Sequence, residues 1–65
     1  MVLGEAIKIL GGEERQIVVL HDISGMKHRE IADIMQIPLS TVLSKYRRAL
    51  SKLRKHIKEV IRDEQ

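Results

Sequence analysis

Seven lysines and arginines fall between Lys45 and Lys58 with no acid among them: Lys45, Arg47, Arg48, Lys52, Arg54, Lys55 and Lys58. Counting roughly 100° per residue, Ser40, Ser44, Arg47, Ser51, Arg54, Lys58 and Arg62 share one face of a helix, with Arg48 and Lys55 at its margin. A polar, positive stripe of this kind does no covalent chemistry. It binds anions, and polyanions above all, because their condensed counterions are released on neutralisation. A helix that is only solvated would more often mix its signs. Other chemistry is poorly served: His21, His28 and His56 are too far apart in sequence for a ligand pair on one helical turn, and the chain has no cysteine, so no metal is expected. Ser24, Ser40, Ser44 and Ser51 lack a His and acid arrangement that would make one a nucleophile. The chain reads as a binding module with no cofactor, and not as an enzyme.

The opposite face of the same stretch carries Val42, Tyr46, Ala49, Leu53, Ile57 and Val60 at steps of three and four, the helical spacing of a buried stripe. That spacing is close to a heptad, so a dimer seam is the alternative to a core. A chain of 65 residues needs such a face to hold its other helices, which favours core packing and a monomer. One small domain is all the length allows, spanning residues 1–65. Residues 1–38 carry four basic and six acidic side chains, residues 39–65 eight basic and three acidic, so the net +3 is concentrated on the last helix. Tyr46 is the sole aromatic residue, which leaves Ile, Leu, Val, Met and Ala to fill the interior, with Met26 and Met35 as core fillers and Tyr46 at the core edge, its hydroxyl outward. No apolar run is long enough to span a bilayer and no signal-peptide pattern is present, so no membrane association and a cytoplasmic location are expected.

The remaining elements follow from spacing and breakers. Val2, Leu3, Ala6, Ile7 and Leu10 predict a first helix over 2–10, stopped by Gly11 and Gly12. A second, over 13–23, takes Gly12 as its cap and Glu13 and Glu14 in its first turn, buries Ile17, Leu20, Val18 and Ile23, and ends at Gly25. The apolar residues between Gln16 and Leu20 could form a strand, but no partner strand exists elsewhere. Ile31, Ala32, Ile34 and Met35 give a short third helix over 28–36, with Lys27 where a capping Ser or Asp would be expected. Pro38 starts the fourth, over 39–61, because its fixed φ suits a first turn and disfavours helix at Ile37. The expected fold is all-α: a compact four-helix domain containing a helix-turn-helix with a long C-terminal recognition helix.

A short helix, a tight turn and a longer helix with exposed polar groups at its start is how a recognition helix enters the DNA major groove. Lys45, Arg47 and Arg48 could reach phosphates or guanine edges, Ser40, Thr41 and Ser44 phosphates or bases, and Leu43 a thymine methyl.

Glu13-Glu14-Arg15, the Leu20 to Gly25 segment, Glu30-Ile31-Ala32, Ile37-Pro38, Thr41-Val42, Ser44-Lys45 and Arg48-Ala49 followed by Leu53 resemble region 4 of bacterial RNA polymerase sigma factors, of the compact extracytoplasmic-function type. The resemblance implies four helices, the last reading the promoter minus 35 element of double-stranded DNA, and docking on the flap of the RNA polymerase β subunit. It also implies masking by an anti-sigma factor. Family DNA-contacting positions fall on Pro38, Ser40, Thr41, Leu43, Ser44, Arg47 and Arg48, with His21 at a backbone-contacting position. This chain departs from the usual pattern in having Leu43 where a basic residue is common, Ser40 where glycine is common, Lys45 where arginine is common, and Gln36 where glycine often precedes the Ile-Pro pair. A sigma factor also needs a domain that melts and reads the downstream element, so the resemblance implies an excised fragment or a truncated stand-alone relative. The LuxR-type output domain of response regulators shares Glu-Ile-Ala, Ile-x-x-x-Thr-Val and a terminal Lys-Leu, but Arg48-Ala49 and the basic continuation past Leu53 favour sigma.

Overall fold

The computed structural model describes residues 7–63, apart from the side chains of residues 60, 62 and 63. Among the described residues the chain is all-helical: α1 over Gly12–Val18, continuing as a π-helical segment over Val19–Ile23, then α2 over His28–Met35 and α3 over Leu39–Asp63. Three helices are therefore seen where four were expected. The helix expected over 2–10 lies mostly outside the described residues, as do the side chains of Val60 and Arg62 in the expected faces of α3. Its end comes earlier than residue 10, since Lys8 and Ile9 form a turn closed by the Leu10 N–H on the Ile7 carbonyl at 3.1 Å. The Arg15 guanidinium donates to the carbonyls of Lys8 and Leu10, holding that segment against α1.

The start of α1 is one residue off the sequence reading. Gly11, at φ −68° and ψ 168°, is the cap, and Gly12 is already helical. The larger difference lies at the other end: the Ser24 N–H bonds the Val19 carbonyl at 3.0 Å, five residues back, which widens the turn beyond α geometry. A 3.6-residue count then fails across Val19–Ile23, and Ile23, expected in the buried stripe, is 61 % exposed. Gly25 closes the segment at φ +74°, with the Met26 N–H on the Leu20 carbonyl at 2.9 Å, a left-handed stop of the kind glycine permits.

The second helix starts without a side-chain acceptor at its cap, as Lys27 dictates, but Glu30 compensates. Its Oε1 accepts the Lys27 backbone N–H at 3.0 Å, one half of a capping box, and the ammonium of Lys27 cannot return the other half because it has no acceptor. At the far end Gln36 is left-handed, φ 56° and ψ 46°, while the Ile37 N–H bonds the Ala32 carbonyl at 3.1 Å. A side chain there is strained, which is the physical demand behind a glycine at this position. Gln36→Gly is expected to raise stability by about 0.5–1 kcal/mol, the relief of left-handed strain less the extra backbone entropy of glycine. A urea midpoint that stays put or falls would contradict it. Pro38 then caps α3, its carbonyl accepting the N–H groups of Thr41 and Val42 at 3.0 and 3.1 Å.

Two apolar clusters hold these elements together. Ile7, Leu10, Val18, Ala49 and Leu53 form one, between the N-terminal segment, α1 and the middle of α3. Ile17, Ile31, Ala32 and Val42 form the other, flanked by Leu20, Met26, Met35 and Ile37. Tyr46 packs against both. The stripe read from the sequence of α3 is therefore a core face: Val42, Ala49 and Leu53 are buried and Ile57 half-buried. With 25 residues at about 1.5 Å rise each, α3 runs nearly the whole 43 Å long dimension, against 19 and 16 Å across.

Candidate nucleic-acid interface

Because Val42, Tyr46, Ala49 and Leu53 take the inner face of α3, the opposite face is fixed by helical geometry to point outward. Ser40, Ser44 and Arg47, spaced four and three apart, form its crest, and all three are exposed. Shallow hollows flank the crest. One is lined by Ser40, Thr41, Ser44, Lys45 and Arg48. The other lies where α3 begins beside the start of α2, lined by Lys27, His28, Arg29 and Glu30 on one wall and Leu39 and Leu43 on the other.

Most of the residues singled out from the sequence meet here. Pro38 is exposed at the start of the crest, Thr41 is half-buried, and Leu43 is 38 % exposed. Arg47 and Arg48 are exposed and in no ion pair among the described residues. Lys45 is different: half-buried, it turns its ammonium back to within 3.8 Å of the Glu13 carboxylate on α1. Seven residues along α3, about two turns on, Lys52 and Glu14 form a tighter pair at 2.8 Å. The acidic first turn of α1 thus neutralises the inner flank of the basic helix and leaves its crest free. Such partly exposed pairs contribute little stability, roughly 0–1 kcal/mol each, so Lys45 can exchange Glu13 for another anion at small cost.

His21 stands apart from this surface. It sits in the π-helical segment with its ring 4.0 Å from that of His28, edge to face, and 4.9 Å from that of Tyr46. Its Nδ1 is buried without a partner, as is Nε2 of His28. Spacing along the chain did not suggest that two of the three histidines touch; the wide π turn and the bend at Gly25 bring them together. The Tyr46 hydroxyl, expected outward, donates to the Asp22 carboxylate at 2.8 Å, and burial followed by that hydrogen bond pushes its pKa above the usual range. Lys27 and Arg29 were also missed. They lie in the acidic half of the chain, where a charge tally hides them, and only the packing of α2 beside α3 puts them on the same surface as Leu43.

Among the described residues no cluster of three or more His, Cys, Asp or Glu side chains could hold a metal ion, and no helix is long and apolar enough to cross a membrane. What the arrangement offers is a polar ridge of one helix's width with a basic side chain free on each flank. The major groove of B-DNA, about 12 Å wide, admits one such helix.

A family model described as Sigma-70, region 4 matches residues 1–53, which include α1, the π-helical segment, α2 and the first part of α3 with its crest. That family is one of DNA-binding helix-turn-helix domains of sigma factors, which work with RNA polymerase, and not one of enzymes. The all-helical fold, the helix-turn-helix of α2 and α3 and the match over most of the length agree, and the chain belongs to the sigma-70 region 4 family.

Proposed function

We propose that this domain reads the minus 35 element of promoters as the C-terminal part of a sigma factor of the extracytoplasmic-function type. The observation that carries the reading is the free crest of α3 between two hollows, each with at least one cation in no ion pair among the described residues: Arg48 on one side, Lys27 and Arg29 on the other. With the crest in the major groove, the two phosphate backbones run along the hollows. Arg48 and Arg47 reach guanine edges or phosphates, Leu43 meets a thymine methyl, and Ser40, Thr41 and Ser44 bond bases or backbone. Lys45 leaves Glu13 for a phosphate, and Pro38 places the first turn against the strand. His21, with Nδ1 buried, offers only its other ring nitrogen to the backbone. Docking on the flap of the polymerase β subunit and masking by an anti-sigma protein complete the proposal, with the domain acting as a cytoplasmic monomer.

Selection of a randomised duplex pool on the purified chain tests it. One short motif is expected to be enriched. Its affinity should fall by roughly two orders of magnitude between 50 and 200 mM salt, the loss for about three or four neutralised phosphates. Salt-sensitive binding with no motif would instead make the chain a protein-docking domain with a basic helix.

A further inference from the structure

We propose that the His21, His28 and Tyr46 cluster is a proton-operated lock on the helix-turn-helix: neutral, it seats α3 against the π-helical segment and α2, and a proton on the His28 ring loosens that seat. The three rings come from three elements. His21 belongs to the π-helical segment, His28 opens α2, and Tyr46 lies on the inner face of α3, with centroids 4.0, 4.7 and 4.9 Å apart. Among the described residues no other ring contacts join these elements.

The chemistry follows from the two buried nitrogens. A neutral imidazole has one N–H and one bare nitrogen, so His28 can bury Nε2 as a lone pair at modest cost. An imidazolium has two N–H donors, and the second would be charged, buried and without an acceptor. The surroundings do not supply one. From the π-helical segment come the His21 ring and Asp22, whose carboxylate takes the Tyr46 hydroxyl on Oδ1 and makes no bond to the His28 Nε2. From α2 come Lys27 and Arg29, both positive, and Glu30, which accepts the Lys27 N–H. From α3 come Tyr46, Leu39 and Leu43.

The His28 pKa is accordingly held below the ordinary 6.5, first by burial and then by His21, with Asp22 opposing. The sign follows. Below pH 6.5 the unfolded chain takes up a proton that the folded chain refuses, so the stability is fully present above 6.5 and is lost as pH falls from there through the folded-state pKa. Each unit of lowering corresponds to a tenfold fall in the folding constant.

The test uses the intact chain. Urea denaturation at pH 7.5 and 5.5 should show a falling midpoint for the natural sequence and a smaller fall for His28→Phe, which keeps an aromatic edge and cannot titrate. An NMR titration of the His28 ring in the folded natural sequence should place its pKa below 6.5, and higher in His21→Gln than in the natural chain. If His28→Phe does not fold, the ring titration decides alone. A His28 pKa at or above 6.5, or equal pH slopes in the two chains, would overturn the proposal. The consequence for DNA rests on the promoter reading above: between pH 7.5 and 5.5 affinity for the selected duplex should drop in the natural chain, and by a smaller factor in His28→Phe, whatever the affinity of that variant at pH 7.5. Absence of duplex binding at both pH values would fail that reading and leave the denaturation and ring titration to judge the lock.

Discussion

Ile31→Ala is expected to cost about 2–5 kcal/mol of stability, the range for truncating a fully buried aliphatic side chain. A domain of this size has roughly 3–10 kcal/mol in total, so the change removes a large part of it. Ile31 has 0 % of its surface exposed and packs with Ile17, Ala32 and Val42, the contacts through which α2 is held to α1 and to the start of α3. The cavity cannot collapse easily, because its walls come from three separate elements. Urea denaturation followed by far-UV circular dichroism should show the midpoint falling to a fraction of its original value. Ile34, on the same helix but 58 % exposed, supplies the control, and Ile34→Ala should stay within about 0.5 kcal/mol. Equal effects at the two positions would mean that α2 does not pack as described.

The contrast between those two isoleucines marks what the sequence alone could tell. Helical spacing identified the inner face of α3, because Val42, Ala49 and Leu53 recur regularly along an unbroken helix and are all buried. Pro38 and Gly25 were legible for the same kind of reason, since each enforces a backbone conformation that does not depend on distant contacts. The register of the π-helical segment was not. No local signal announces the bond from Ser24 to Val19, and a 3.6-residue count therefore placed Ile23 inside when it is outside. Nor could spacing along the chain bring His21 onto His28, seven residues away across a turn, or pair Lys45 with Glu13 from a helix thirty-two positions earlier. The crest of α3 was readable from charge and period, while its second flank, Lys27 and Arg29, depends on how α2 packs. The residues that make the surface basic were legible; the neighbours that free or occupy them were not.

In the proposed interface Arg48 is the residue expected to carry the most weight, because it is exposed, unpaired among the described residues and beside Ser44 in the hollow flanking the crest. Arg48→Ala should lower affinity for the selected duplex by roughly 1–3 kcal/mol. Its side chain makes no core contact, so helicity and the urea midpoint should be unchanged. A guanidinium that bonds a base edge loses more on the selected duplex than on a scrambled one. A guanidinium that meets only phosphate loses the same on both. The measurement that bears most directly on promoter reading is therefore the affinity of the natural chain and Arg48→Ala for the selected and the scrambled duplex, at one fixed salt concentration. The expected result is a clear preference of the natural chain for the selected duplex that largely disappears in Arg48→Ala. Undiminished affinity and preference in a variant of intact helicity would contradict the assignment of this face of α3 to DNA.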